Sequence, residues 1–330
     1  MTTSPDVRAT DVRAAASRIA GRIRLTPVIE ADPGSFSPVG SAPGSPVGSA
    51  PGRVWLKLEQ LQHTGSFKAR GAFNRILSAS ALGPLPAAGV VAASGGNAGL
   101  AVAYAAACEG VPARVHVPAA APAVKVARLR EYGATVVQAG SCYAEACELA
   151  VKHAADVGAL FCHAYDQPEI CAGQGTLGLE LLAQSGGQVD TVLVAVGGGG
   201  LMAGIAAATE GTARVVGVEP VTIPTLHTAL AAGGPADVAV SGIAADSLGA
   251  SRIGDIAYTV AARTGVRSIL VEDADIVAAQ RRLWDQYRLA VEPGGATAFA
   301  ALLSGAYRPA EGERIAVVLC GANTDPATLI

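Results

Sequence analysis

From Val54 onward the chain repeats one pattern, and that pattern limits its fold more than any other feature. A short apolar run is followed by a turn carrying Gly, Pro or Asn, and then by a longer stretch with helical spacing of its apolar positions. The runs are Val54–Leu58, Gly89–Ala93, Ala113–Val117, Ala134–Gln138, Ala159–His163, Thr191–Val196, Arg214–Val218, Ser268–Val271 and Ile315–Leu319. Helical stretches between them include Ala98–Glu109, Ala123–Tyr132, Tyr143–Asp156 and Ala172–Gln184. Strand and helix in alternation predict a parallel α/β architecture, with functional groups in the loops at the carboxyl ends of the strands.

Composition agrees. Apolar residues make up 51% and aromatics only 4%, which suits a buried parallel sheet covered by small-residue helices. At 330 residues the chain exceeds one ordinary compact core, so one large or two intimate domains are expected. A net charge of −3 gives no electrostatic reason to bind nucleic acid or an anionic membrane. The uncharged stretches 76–108 and 191–209 are interrupted by clustered glycines, so they read as buried strand–loop–helix units and not as membrane spans. Six cysteines without a CxxC or a zinc spacing read as free thiols in a reducing compartment, and residues 1–13 lack the apolar core of a secretory signal. A cytoplasmic protein is expected.

Before Val54, Asp11–Arg24 reads as an amphipathic helix capped by Thr10. Ser37–Gly44 reads SPVGSAPG, and Ser45–Gly52 repeats it without change. Ser, Pro and Gly at this density cannot build a core, so 33–52 is expected to be a low-complexity surface loop.

Three loops carry candidate chemistry. In Thr64-Gly65-Ser66-Phe67-Lys68-Ala69-Arg70-Gly71, Lys68 opens a helix-like run, Ala72–Leu77. A partly desolvated lysine at the positive end of a helix dipole has its ammonium form disfavoured, and a neutral amine can form a Schiff base. In Ser94-Gly95-Gly96-Asn97-Ala98-Gly99, unhindered N–H groups at a helix start suit a carboxylate, although an ordinary turn capped by Asn97 would look the same. In Gly197-Gly198-Gly199-Gly200-Leu201, four consecutive glycines imply close approach of backbone to a ligand such as a phosphate. The spacing Gly198-x-Gly200-x-x-Ala203, with Glu219 ending the next strand, also satisfies a dinucleotide-binding fingerprint.

Together these residues resemble the fold-type II pyridoxal-phosphate enzymes, specifically the serine/threonine dehydratase family. The resemblance runs from Leu25-Thr26-Pro27 through Lys57-Leu58-Glu59, the Lys68 and Asn97 loops, Ala172-Gly173-Gln174-Gly175-Thr176 and Gly197–Leu201. It continues through Gly217-Val218-Glu219-Pro220, Glu292-Pro293-x-Gly295-Ala296 and Cys320-Gly321-x-Asn323. So many motifs in the family's order outweigh the dinucleotide reading.

The resemblance implies two open, twisted, mostly parallel sheets like those of the tryptophan synthase β-subunit, with the cofactor between a large and a small domain. Residues 1–88 and 164–330 would form the large, cofactor-binding domain, and 89–163 the small one. Lys68 would be the Schiff-base lysine, with Phe67 packed against the pyridine ring and Asn97 hydrogen-bonded to its 3′-oxygen. Gly197, Gly198, Gly199, Gly200 and Leu201 would cradle the phosphate, and Cys320 would face the pyridine nitrogen. Ser66, Ser94, Gly95, Gly96 and Ala98 would border the substrate. Glu219 would help hold a monovalent cation; the aspartate that completes a divalent site in relatives is here Thr225.

The implied reaction is β-elimination from L-serine or L-threonine, giving a 2-oxo acid and ammonia. Relatives that racemise carry a second serine where this chain has Gly95, which has no proton to give, so one-faced chemistry is expected. Gly95, Ala98 and Cys320 together resemble the serine-dehydratase branch. The alternatives are a β-replacement enzyme of the cysteine or threonine synthase type, elimination from another β-substituted amino acid, and a silent cofactor-binding protein. Relatives are commonly homodimers. The chain ends at Ile330 without a C-terminal regulatory domain, so control by isoleucine is not expected.

Overall fold

The structure, a computed structural model, describes residues 6–32, 36, 51–325 and 327. The duplicated SPVGSAPG segment therefore lies outside the described residues except for its last two positions. The strands are β1 (Val28–Glu30), β2 (Arg53–Leu58), β3 (Val90–Ala93), β4 (Ala113–Val117) and β5 (Thr135–Gln138), then β6 (Leu160–Cys162), β7 (Thr191–Ala195), β8 (Arg214–Pro220), β9 (Arg267–Val271) and β10 (Arg314–Leu319). Every strand expected from sequence is present within two residues of its limits. β1 is an addition, a three-residue antiparallel partner of β2 that is too short to show a periodicity.

They form two sheets. One has the order β1-β2-β10-β7-β8-β9, the other β5-β4-β3-β6, and apart from β1 all pairings are parallel. β7 reads TVLVA and is buried along its whole length, as a parallel strand covered on both faces must be. β10 lies between β2 and β7, pairing Leu319 with Leu58 and Val317 with Leu193. This register brings the carboxyl ends of three strands to one edge, where the Lys68 loop, the four-glycine loop and Cys320 follow.

The helix Lys68–Ser80 packs against helix Pro168–Gln184 and against helix Asn97–Cys108, which covers the four-stranded sheet. Its Phe73 and Ile76 are buried in the same core as Val90, Val115 and Leu100, so this helix joins the two layers. Helix Pro168–Gln184 begins four residues before its expected start, because Pro168 occupies the first turn, where no N–H is missed. It meets helix Gly200–Ala208 backbone to backbone: a Cβ on Gly175 would stand 2.5 Å from Gly204 O. The first helix, Ala9–Arg18, is shorter than expected, and Gly21 in the left-handed region (φ +75°) follows its end. Thr10 lies inside that helix; the Arg8 N–H is taken instead by Asp11 Oδ2 at 2.8 Å. No helix among the described residues is long and apolar enough to cross a membrane.

Under the Lys68 helix lies a buried ionic cluster. Arg70 makes two hydrogen bonds to Glu59 (2.7 and 2.8 Å) and two to Glu180 (2.7 and 2.8 Å). Lys57 Nζ donates to Glu180 at 2.8 Å, Gln184 at 2.8 Å and Thr26 O at 2.9 Å. Two cations face two carboxylates and almost every donor has an acceptor, the condition under which buried charge is tolerated.

Candidate active site

A cavity of about 410 Å³ opens between the two sheets at the carboxyl ends of their strands. Phe67, Lys68, Cys320, the Ser94–Ala98 loop and the Gly197–Leu201 loop all line it. A wider cleft of about 580 Å³ lies at the opposite strand ends, bordered by Asp190, Arg214 and Glu313. Three of its charged groups are already paired, Arg214 with Glu313 and Asp190 with Arg314.

Lys68 is the first residue of its helix, and its Nζ donates to Ala164 O at 2.7 Å. The side chain is partly buried and lines the cavity. Burial pulls its pKa down to about 8, against the pull of Cys320, Cys171 and Glu292. The Phe67 ring is buried beside it, 5.1 Å from Nζ, and the Phe67 N–H is fixed to Cys320 O at 3.1 Å. A neutral amine is therefore accessible near physiological pH.

The four-glycine loop is built by close contact from behind. A Cβ on Gly198 would lie 2.3–2.5 Å from ring carbons of Tyr165, and one on Gly197 would lie 2.8 Å from Leu248 O. Gly199 takes φ +83°, a conformation other residues rarely adopt. The N–H groups of Gly198, Gly199, Gly200 and Leu201 have no hydrogen-bond partner among the described residues, yet they stand at the start of helix Gly200–Ala208 on the cavity wall. Four orphan donors at the positive end of a helix form a cradle for an anion, and the phosphate of pyridoxal phosphate fits it.

A second set of donors faces them. At the start of helix Asn97–Cys108, the N–H groups of Gly95, Asn97 and Ala98 also lack partners among the described residues, while Gly96 N–H donates to Ser94 Oγ at 3.2 Å. Asn97 is held by its side chain: Nδ2 donates to Glu292 Oε1 at 2.6 Å, and Oδ1 accepts from Asn323 Nδ2. Asn323 also accepts from Arg128 Nη2 at 3.0 Å.

Cys320 is buried, and burial pushes its thiol well above the usual range. The neutral Sγ–H points at Gly294 O, 3.4 Å away. Such a group cannot hold a proton on a ring nitrogen as a carboxylate would.

Two residues expected at the site are not among those that line the cavity. Ser66 pairs its backbone with Gly321, and its buried hydroxyl has no hydrogen-bond partner among the described residues. Glu219 does not reach the cavity either. Its carboxylate accepts from Leu226 N–H (2.6 Å), His227 N–H (2.9 Å) and Ser268 Oγ (2.6 Å), with Thr225 Oγ1 at 3.1 Å. A fully buried glutamate bound in this way cannot meet a ribose, which removes the dinucleotide reading.

Three groups were not assigned a role from sequence. Glu292, inside a motif that had been noticed, lines the cavity, and burial raises its carboxyl to about 7. Tyr165 backs Gly198 and lines the wall beside Tyr143. His163 stands behind Lys68 with Nδ1 accepting from Tyr165 N–H (3.2 Å) and Asp166 N–H (2.8 Å), and burial lowers its pKa, so it is a neutral brace.

Comparison with known proteins agrees with this geometry. Residues 22–321 match the family described as pyridoxal-phosphate dependent enzyme. The chain is 39% identical over 330 residues to phenylserine dehydratase of Ralstonia pickettii, covering 99% of this chain and 96% of that protein. It is 39% identical over 281 residues to L-threonine ammonia-lyase of Geobacter sulfurreducens, covering 84% of this chain and 68% of that one. Among solved structures, maize serine racemase matches with a TM-score of 0.87 at 30% identity, covering 98% of this chain and 96% of its own. A threonine deaminase from T.th. matches with a TM-score of 0.83 at 34% identity, covering 97% of this chain and 99% of its own. The chain belongs to the fold-type II pyridoxal-phosphate-dependent enzymes, in the serine/threonine dehydratase family.

Proposed function

We propose that this enzyme removes water and then ammonia from a small β-hydroxy-α-amino acid, L-serine or L-threonine, releasing a 2-oxo acid. One observation carries the reading. Lys68 Nζ, with its pKa lowered to about 8, stands in one cavity with two opposed sets of free backbone N–H groups. The Gly198–Leu201 set would hold the cofactor phosphate, and the Gly95–Ala98 set the substrate carboxylate.

When bound, pyridoxal phosphate supplies an electron sink for the carbon that loses its proton. Lys68 Nζ is the attachment point and the group that moves the α-proton. Phe67 packs beside it, and Ala164 O orients the amine. Asn97, fixed by Glu292 and Asn323, would present its amide to the ring's 3′-oxygen. Cys320 keeps its own proton on Sγ, so it offers the ring no extra positive charge, which favours prompt loss of the β-hydroxyl. Gly95 provides no acid on the opposite face, which disfavours racemisation.

A bulkier substrate is the second reading. Pro118, Ala121, Tyr143 and Tyr165 give the cavity an apolar wall that could receive a β-phenyl group, the substituent named in one relative. Serine, threonine and phenylserine should be tested side by side for ammonia and 2-oxo acid. We expect turnover of at least one, and its loss by a factor of about 10³ or more in Lys68→Ala, as removal of a general base and covalent anchor implies. A wild-type protein that binds pyridoxal phosphate yet eliminates from none of the three would overturn the proposal.

A further inference from the structure

One cation near the site has no carboxylate to answer it. Arg128, on helix Ala123–Glu131, forms no ion pair among the described residues. Its Nη2 donates instead to the side-chain oxygen of Asn323, at 3.0 Å. With Asn97 and Glu292, these two side chains line a small cavity of about 40 Å³ behind the Ser94–Ala98 loop.

The contacts pass a fixed polarity toward the main cavity. A guanidinium can only donate a hydrogen bond, and a backbone carbonyl can only accept one. Arg128 therefore requires the oxygen of the Asn323 amide, and Thr64 O, 2.8 Å from Nδ2, requires its nitrogen. The second N–H of that nitrogen meets Asn97, so the atom that Asn97 turns toward it is the acceptor, Oδ1. Asn97 Nδ2 is left on the other side. One of its hydrogens goes to Glu292 Oε1 at 2.6 Å, and the other has no partner among the described residues, while Asn97 lines the main cavity. The backbone is shaped for this contact: Thr64 takes φ +61°, rare for a β-branched residue, and a Cβ on Gly65 would stand 3.1 Å from Asn323 Oδ1.

Glu292 cannot fix the Asn97 amide by itself. Its carboxyl, raised by burial to about 7, accepts a hydrogen bond as a carboxylate and can donate one as an acid. Only the Asn323 side of Asn97 is held by groups whose direction never changes. A flipped Asn97 would set nitrogen against nitrogen there and take its N–H groups away from the Glu292 side.

We propose that Arg128 is a positioning residue, which acts through Asn323 to keep an Asn97 N–H turned toward the cofactor's 3′-oxygen. The inference rests on the role proposed above for Asn97 at that oxygen.

The test compares holoenzymes by the ratio of visible to near-ultraviolet cofactor absorbance, which reports how far the 3′-oxygen is ionised, a form that an N–H donor favours. Cofactor dissociation is read beside it. Arg128→Leu should lower the ratio by about threefold to tenfold, up to the worth of one hydrogen bond, while the cofactor is held within about threefold of wild type because the phosphate donors are untouched. Arg128→Lys, which keeps a donor, should recover most of the ratio. Asn323→Asp still accepts from Arg128 but has no N–H for Asn97, so it should lose at least as much as Arg128→Leu, and it serves as the test if the leucine variant does not fold. Folded Arg128→Leu or Asn323→Asp protein with the wild-type spectrum would overturn the proposal. Asn97→Ala separates the two levels without any need for turnover. If it alone shifts the ratio, only the relay through Asn323 falls; if it too leaves the ratio unchanged, Asn97 is not at the 3′-oxygen and both readings fall.

Discussion

Two loops of similar composition begin helices on opposite walls of the cavity, yet they are built differently. The Gly197–Leu201 loop is packed from behind: Tyr165, Leu248 and Ala257 all stand within 3 Å of where a side chain would begin. The Ser94–Ala98 loop has room. A Cβ on Gly95 would meet only Val117 Cγ1 at 3.6 Å and Lys125 Cδ at 3.9 Å, and one on Gly96 only Asp246 O at 3.9 Å. The Gly197–Leu201 loop requires glycine for steric reasons. The Ser94–Ala98 loop has glycine at positions 95 and 96 without steric need, so substitutions there can test its proposed contact with the substrate.

The contrast is broken most severely by Gly198→Ala. The new methyl overlaps the Tyr165 ring, and overpacking of this kind costs about 1–3 kcal/mol. Cofactor affinity should fall at least about tenfold, since the donors must move with the backbone. Adding Tyr165→Ala should recover part of the loss. A double variant no better than the single one would place the clash elsewhere.

Gly95→Ser is the opposite case. Stability should change by no more than about 0.5 kcal/mol, because the space exists. The added hydroxyl supplies the missing group on the second face, so D-serine should form from L-serine where the wild type forms none. Chiral chromatography of the reaction mixture checks this, and a variant that still only eliminates would show that more than one residue limits the reaction to one face.

A third effect concerns Glu292, whose Oε1 accepts from Asn97 Nδ2 at 2.6 Å. Its folded pKa of about 7 exceeds the ordinary carboxylate value. Between roughly pH 4.5 and 7 the folded state keeps a proton that the unfolded state has released, so stability falls as pH rises through that window. Glu292→Gln should remove this slope, by at most a few kcal/mol, in urea unfolding of cofactor-free protein at pH 5 and pH 8. An unchanged slope would assign the titration to another group.

Most of the strands and both glycine loops were legible because they rest on local rules, apolar runs bounded by Gly and Pro, and helix starts without side chains. The order of the sheets was not, since nothing local says that β10 enters between β2 and β7. Side-chain direction was equally hidden. Ser66 is two residues from Lys68 in sequence but is fully buried, and that Glu219 accepts the N–H groups of Leu226 and His227 is seen only once the helix is placed. Glu292 lay in a recognised motif, yet its role depends on Asn97, 195 positions away.

The ionic cluster of Lys57, Glu59, Arg70 and Glu180 has a consequence for descent. Losing any one partner strands an opposite charge in the interior, at a cost of about 3–5 kcal/mol, which is comparable to a large part of a domain's whole stability. A lineage can leave this arrangement only by replacing several of these positions together, through ancestors that barely fold. The four residues should therefore be inherited as a block, while the open substrate loop across the cavity drifts from one specificity to another.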